Sequence, residues 1–473
     1  MQRYFIFSLL FVIMMIGACK KYLNVNEDPN NPVDVQESLL LLPLETTTST
    51  VVAGGSLTVS NNPTVAQTNA FWMQQIALVQ IPPALDEYLI QPSNVDAIWA
   101  TMYTTILENA RILNEKAEAH QNYSYAVIAK ILTAYNLGVL TDSWGDIPYS
   151  MALAGHLQPV YDKQEDIYKD IQSLLDSSIA ENALDPGKAL PGSDDFIYGG
   201  DMSLWQKLAY TLKARYYMHL TKAPGYDPVT QSNLAMTALG NGFSSLSEEA
   251  NFTAYSTSAG SENPWFENIQ PVSGPIVLAS TFVDSLLSRN DPRLTVLATL
   301  NTDGIYKGRV IGADSVPDFS IYSTVNDFYA AKQAPQSIMN YPEALFLRAE
   351  AIFRISNAAE ATPFYITAIN ASMNRLGLDT NSIAVTSYVA SRTPLTAVNA
   401  MDHIITDKSV ANFLCTENYN DWRRTGYPVI STVQNPWYPT IPLRFPYPQA
   451  EELANPQPQQ SAQLNDPVWW DSK

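Results

Sequence analysis

The chain has 473 residues, 46% of them apolar, which is enough for a large core. Only 15% are charged, and 27 Lys+Arg against 46 Asp+Glu give a net charge of −19. That balance excludes a basic nucleic-acid footprint and disfavours anionic lipid surfaces. With 26 Tyr, 16 Phe and 9 Trp beside so few charges, the composition suits neutral polar ligands.

Arg3 precedes Phe5–Ile16, a twelve-residue stretch that is apolar apart from Ser8. It is too short for a bilayer core of about 30 Å and has the length of a signal-peptide hydrophobic region. Ile16-Gly17-Ala18-Cys19 follows, small residues and then a cysteine. This resembles a bacterial lipobox. Residues 1–18 therefore read as a cleaved signal peptide, Cys19 as a lipid anchor, and 19–32, with the turn-forming run 24–32, as a tether. The mature chain would carry 26 basic and 46 acidic side chains, near −20. Cys415 is then left without a partner in an apolar context and reads as a buried, inert thiol. No later run reaches 18 uninterrupted apolar residues, so the lipid is the expected membrane attachment.

Residues 53–63 are rich in Gly, Ser and Asn and read as a loop. Helical spacing predicts helices over about 64–79, from Asn94 as N-cap to about 119, over 123–140 and from near 163 to 179. Another starts near Ser203, where Trp205, Leu208, Ala209, Leu212, Tyr216 and Leu220 share one face. Residues 241–341 break the pattern with Gly, Pro, Ser and Asn; one helix at 276–287 and a short strand at Arg309–Ile311 are expected there. Helices resume at 342–355, 358–376 and 397–414. Nine prolines between Pro428 and Pro467 exclude long regular elements from the tail. Helix 342–355 is apolar all round, with Ala344, Ala349 and Ala351 for close contact and Glu350/Arg354 at i,i+4. Residues 358–376 would be its antiparallel partner. This is the grammar of tetratricopeptide-like helix pairs, without a clean 34-residue period. The expected fold class is mostly α: helix pairs as scaffold, long irregular loops and a few short strands.

Several motifs stand in a specific order. Trp99, Tyr103, Ile106 and Asn109 lie on one helix. Asp142-Ser-Trp-Gly-Asp-Ile-Pro-Tyr-Ser150 follows the next. Asn340–Glu350, Trp422-Arg-Arg-Thr-Gly-Tyr-Pro428, Ile441-Pro-Leu-Arg-Phe-Pro-Tyr-Pro448 and Val468-Trp-Trp-Asp471 come later. With Cys19, these resemble the SusD/RagB family of Bacteroidetes outer-membrane lipoproteins, over essentially the whole mature chain. The resemblance implies one SusD-like α-helical domain over 33–473, with a loop-rich insert at 241–341 and a Pro-rich segment at 428–473. It also implies a partner, a SusC-like TonB-dependent transporter, and a ligand, an oligosaccharide or other neutral polar nutrient, with no catalysis. Lys20 and Lys21 depart from the acidic residues that often follow the lipidated cysteine in this phylum. Outward exposure is therefore an expectation from the family, not from this export signal.

Enzyme signatures are missing. His120, His156, His219 and His403 are isolated, and no Cys-x-x-Cys, Gly-x-Ser-x-Gly elbow, phosphate loop or dinucleotide fingerprint occurs. No metal or cofactor is expected, and His219 reads as a packed or rim histidine. The adjacent pairs Glu27/Asp28, Asp194/Asp195, Glu248/Glu249 and Glu451/Glu452 read as solvated. A glycosidase would need two carboxylates about 5–9.5 Å apart across a cleft, from any part of the chain. A glycan-cleaving envelope enzyme and a tetratricopeptide-like assembly scaffold are the alternatives.

Trp144–Tyr149 reads as a buried turn, Arg423-Arg424 as structural, and Trp469/Trp470 as a C-terminal anchor. Sugar binding needs apolar ring faces for C–H surfaces and amides or carboxylates for hydroxyls. Aromatics in loop contexts are the candidates. Asn263, Trp265 and Phe266 in Asn263–Asn268 come first, Trp72 and Tyr88 second, Trp437 and Tyr438 third.

Overall fold

The computed structural model describes residues 35–55, 63–79, 85–184, 186–269, 276–314 and 318–472. Cys19, the signal peptide, the tether and Glu27/Asp28 lie outside the described residues. The chain runs through α1 (Glu37–Thr47), α2 (Val65–Trp72), β1 (Ile76–Leu78) and α3 (Asp96–Thr101). A π-helical stretch, Met102–Leu107, joins α3 to α4 (Glu108–His120). Then come α5 (Tyr123–Trp144), α6 (Gln164–Glu181), α7 (Met202–His219) and α8 (Pro228–Leu239). The irregular middle holds β2 (Ala250–Phe252), α9 (Pro264–Asn268), β3 (Ile276–Leu278), α10 (Ser280–Ser288), α11 (Leu294–Leu297), α12 (Asp327–Ala330) and β4 (Gln336–Met339). Last are α13 (Tyr341–Ile355), α14 (Ala358–Arg375), α15 (Ile383–Arg392), α16 (Ala400–Ala411), α17 (Glu417–Thr425) and, in the tail, α18 (Gln449–Ala454).

Side-chain caps fix several starts. Asp201 accepts from Ser203 and Leu204 N–H at α7, Asn340 from Glu343 N–H at α13, and Asn357 from Glu360 N–H at α14. Two-residue links at Gln121-Asn122 and Ser356-Asn357 turn α4 onto α5 and α13 onto α14 as antiparallel pairs. α5–α6, α6–α7 and α7–α8 continue the stacking, and α8 packs on α13, joining the two halves. α5 is long and apolar enough to cross a membrane, but its residues are buried by its neighbours. Gly138 on α5 is where the Tyr216 ring lies; a Cβ there would occupy the ring's place. The tetratricopeptide-like pairing is therefore present and the fold is mostly α-helical.

Two differences are instructive. The helix expected to 79 stops at Trp72. Gln74 turns the chain at φ +52°, and Ile76–Leu78 pairs antiparallel with β3, Ile76 opposite Leu278. The helix expected over 276–287 likewise begins as that strand, because Ile276-Val277 supplies the β-branched partner surface. β2 and β4 make the second two-stranded sheet. Among the described residues the irregular tail is interrupted by the six-residue α18 and by short 3-10 turns at Pro458–Ser461 and Trp469–Asp471.

Charged side chains hold the helices together from inside. Arg215 on α7 forks onto Glu343 of α13, at 2.7 and 2.8 Å. His219 meets Glu417 of α17 at 2.7 Å and Asp142 of α5 at 3.4 Å. Lys408 of α16 meets Asp421 at 2.7 Å, and Arg424 joins Asp421 (2.8 Å) to Glu350 (2.6 Å). Glu350 also takes Arg354 at 2.8 Å. The i,i+4 pair expected on α13 thus belongs to a buried network, since Glu350 is wholly enclosed. A second cluster centres on Asp407, which receives Arg293, Arg392, Tyr365 and Tyr388.

Burial corrects two readings of the acidic pairs. Asp195 accepts from the backbone N–H groups of Ile197, Tyr198 and Gly200 and from Trp205 Nε1. Glu249 is buried against Arg375 at 2.9 Å. Neither is solvated, because each satisfies buried donors. Cys415 is half-buried, and desolvation pushes its thiol up to about 12.

Burial alone would lower the His219 pKa, but Glu417 and Asp142 raise it to about 9 from 6.5. Burial would raise Glu350, yet Arg424 and Arg354 hold it at about 2 against 4.5. His219 therefore adds stability that is full below pH 6.5 and is lost as pH rises through 9. Glu350 adds stability present above pH 4.5 and lost as pH falls towards 2. In urea titrations across pH, His219→Gln should flatten the alkaline limb. Glu350→Gln should cost about 3 kcal/mol at pH 7, because it strands Arg424 in the interior.

Candidate functional site

A cleft and a ledge in the tail offer surface to a ligand of sugar size. The first is a cleft of about 560 Å³. Its walls come from four segments: Thr50 and Val51 after α1, Pro63 and Thr64 before α2, Ala97, Ile98 and Thr101 on α3, and Glu262, Pro264 and Glu267 at α9. Local chemistry sets each wall. Thr64 caps α2 by accepting from Gln67 N–H (3.1 Å) and donates to Gly54 O (2.5 Å). Asn263 caps α9 by accepting from Trp265 N–H and anchors it by donating to Ala334 O, both at 2.7 Å. The Trp265 ring packs against Gly55, behind the lining. Glu262 is held below the usual carboxylate range by backbone N–H groups, its own and that of Gly260, and by Lys332 at 3.6 Å. Among the described residues no basic side chain lines this cleft, while Glu262 and Glu267 do, so it suits hydroxyls and apolar faces better than anions.

The second place is a ledge in the tail. Trp437 is 62% exposed, and among the described residues no other tryptophan is in the exposed class. Its backbone N–H donates to Glu87 O at 2.8 Å. Asn435 Nδ2 donates to Gly312 O (3.1 Å), and Tyr438 Oη donates to Asn465 Oδ1 (2.9 Å). Gly312 sits at φ +78°, and a Cβ there would run into the Gln434 carbonyl. Tyr88 Oη accepts from Val433 N–H at 3.2 Å, and Gln74 Nε2 donates to Ser431 O at 2.5 Å. The indole is thus presented by a segment tied down along its length.

The sequence candidates separate accordingly. Trp72, Tyr88, Trp265 and Asn263 are buried. Trp72 lies edge-on to Tyr419 and Phe445, with centroids at 5.5 and 5.1 Å. Tyr88 braces the ledge, and Trp265 backs the cleft. Their ring faces are covered by protein, so packing accounts for them. Phe266 is half-buried under the Lys332 ammonium at 5.0 Å. Asn263–Asn268 does border the cleft, but through Pro264 and Glu267 rather than its aromatics. Tyr88, Trp437 and Tyr438 come together at the ledge. Sequence reasoning missed Thr50, Thr64, Thr101 and Glu262, which carry no local signal and meet only through the fold.

The other motifs pack. Trp144 is buried edge-on to Trp99 (5.3 Å) and Phe445 (5.1 Å), and its Nε1 donates to Pro446 O. Tyr103 Oη donates to Pro148 O at 2.7 Å. Arg423 lies over Tyr419 and Trp470 at 4.1 and 4.7 Å. Trp470 Nε1 donates to Asp142 at 2.8 Å, anchoring the end of the chain. Among the described residues no group of three or more His, Cys, Asp or Glu is placed to hold a metal ion.

Residues 36–448 match the SusD-like family described as starch-binding, associating with the outer membrane. The chain belongs to that family. Similar solved structures include a chitin-binding protein (24% identity, TM-score 0.78, 93% of this chain and 100% of that one). A SusD/RagB family protein from Bacteroides thetaiotaomicron superposes with TM-score 0.79 at 24% identity, over 93% and 99% of the two chains. A chitin-binding SusD homolog from Flavobacterium johnsoniae does so with 0.77 at 22%, over 92% and 98%. At these identities the likeness is one of fold. No curated protein matches the chain.

Denaturant titrations should separate the two kinds of tryptophan. Trp265→Ala should cost about 3–5 kcal/mol through the cavity it leaves. Trp437→Ala should change stability by no more than about 0.5 kcal/mol.

Proposed function

We propose that the protein is a cell-surface lipoprotein, anchored through Cys19, that captures an oligosaccharide and delivers it to a SusC-like TonB-dependent outer-membrane transporter. In this reading residues 33–473 act as one domain without a catalytic role. The observation that carries it is the exposed Trp437 indole, fixed by backbone and amide bonds with Asn435 and Asn465 beside it. Leaving an indole in water forgoes burial worth about 2–3 kcal/mol, which a sugar face stacked on it restores. Tyr438 and the carboxamides supply hydroxyl partners. Membership of a family described as starch-binding supports a saccharide ligand, and the two chitin-binding relatives support a neutral one.

Glycan-array binding followed by calorimetry tests the reading. Trp437→Ala should weaken the best saccharide about tenfold while the melting curve stays unchanged. The full lipidated chain, purified from detergent-solubilised outer membrane, should bring down a TonB-dependent barrel in stoichiometric amount. Hydrolysis of the bound saccharide, or a soluble protein in place of the barrel, would overturn the reading.

A further inference from the structure

A smaller cavity, of about 100 Å³, lies between α10, α16 and the start of the tail. Thr281, Ser285, Arg289, Thr406, Ser409 and Gln74 contribute to its lining. It differs from the cleft in charge, because a guanidinium sits in its wall.

Arg289 is incompletely paired. Its Nε donates to Ser285 O at 3.1 Å, and Nη2 stands 4.0 Å from Asp291 Oδ2. Nη1 is buried with no acceptor among the described residues. A buried guanidinium N–H with no protein acceptor favours any group that brings one.

The surroundings do not neutralise it. Asp291 is already committed to Arg293 at 2.7 Å, and Asp407 is shared between Arg293 and Arg392. Three guanidiniums, Arg289, Arg293 and Arg392, therefore face two enclosed carboxylates. Tyr365 and Tyr388 stay neutral, since burial raises both hydroxyls. Asp402 takes the Thr406 hydroxyl at 2.8 Å, but it is partly exposed and its charge is screened by solvent. One positive charge is left over, at the cavity wall, in a chain of net charge −19.

We propose that this cavity binds a small oxyanion of carboxylate type, whose charge completes the Arg289 network. The space admits a group of a few heavy atoms, not a sugar ring. Ser285 supplies a hydroxyl donor beside the guanidinium, and charge-assisted bonds of this kind are the strong ones. The wall at Pro428–Ile430 is the start of the segment that carries Trp437, and Gln74 both lines the cavity and grips Ser431 O. The occupant is either a free small acid or the acid group of a larger ligand. The proposal stands independently of the saccharide reading.

The test is titration of the full chain with 13C-labelled acetate, read by NMR line broadening at constant ionic strength with chloride as the balancing anion. Saturable binding is expected. Arg289→Gln should weaken it about tenfold or more. Ser285→Leu, which plugs the cavity and leaves the arginine in place, should do the same, and Arg289→Lys should retain part of it. Competition by D-glucuronate would assign the site to the acid group of a larger ligand; its absence would assign it to a free small acid. No saturable acetate binding to the natural chain, or unchanged binding in Arg289→Gln and Ser285→Leu, would overturn the proposal, leaving a water-filled void beside a structural arginine.

Discussion

The architecture depends on a constraint of electrostatics in a dry interior: where the central helices bring charges out of water, those charges meet their opposites there. Glu417 is the hub. It accepts from His219, lies 3.8 Å from Arg215 and 3.9 Å from Lys408, and so relates α7, α16 and α17 at a single carboxylate. Through Glu343, Asp421 and Glu350 the same web reaches α13, and through Asp142 it reaches α5. Arg215, His219, Lys408, Arg424 and Arg354 balance Asp142, Glu343, Glu350, Glu417 and Asp421. Hydrophobic contact alone tolerates sliding of one helix on another; paired forks at 2.6–2.8 Å do not. Part of the sparse charge of the composition is thus spent on interior geometry.

Around that frame the aromatics divide by task. Trp72, Trp99, Trp144 and Trp470 seal the junction between the early helices and the tail, each ring edge-on or tilted to others. Trp205 and Trp265 close the opposite seams. Because the scaffold is rigid, the irregular segments can present side chains without collapsing onto it. Trp437 shows this most clearly: its loop is pinned at Glu87, Gly312 and Asn465, and the indole stands out in solvent.

Much of the fold was legible in the sequence. Helix periodicity marked α5 to α7 and α13 to α14 closely, since their apolar residues repeat at helical spacing, and capping residues sit at the starts of α7, α13 and α14; the single helix expected from Asn94 to 119 is instead broken by the π-helical stretch Met102–Leu107. α1 was not legible: Leu39–Leu42 is a run without a period, and Pro43 lies inside the helix. β1 and β3 were hidden because a three-residue strand beside a helix has no pattern of its own; only pairing across 200 residues makes it a strand. The site was less legible still. Loop context suggested solvent for Trp72, Tyr88 and Trp265, yet each segment folds back and buries its ring. The cleft is assembled from four distant segments whose contributions are single threonines and glutamates. Periodicity reports which face is covered, not which hydroxyls meet.

The last turn of the described chain carries a consequence for timing. Trp470 completes Asp142, 328 residues earlier, and Asp471 holds Lys222. Helix hairpins such as α4–α5 close over a few residues and can form at once. The hollow between α5, α6 and α17 cannot, because Trp470, which fills it, lies 328 residues along the chain from its partner Asp142. Filling it closes a loop across most of the sequence, an entropic cost that the local hairpins do not carry.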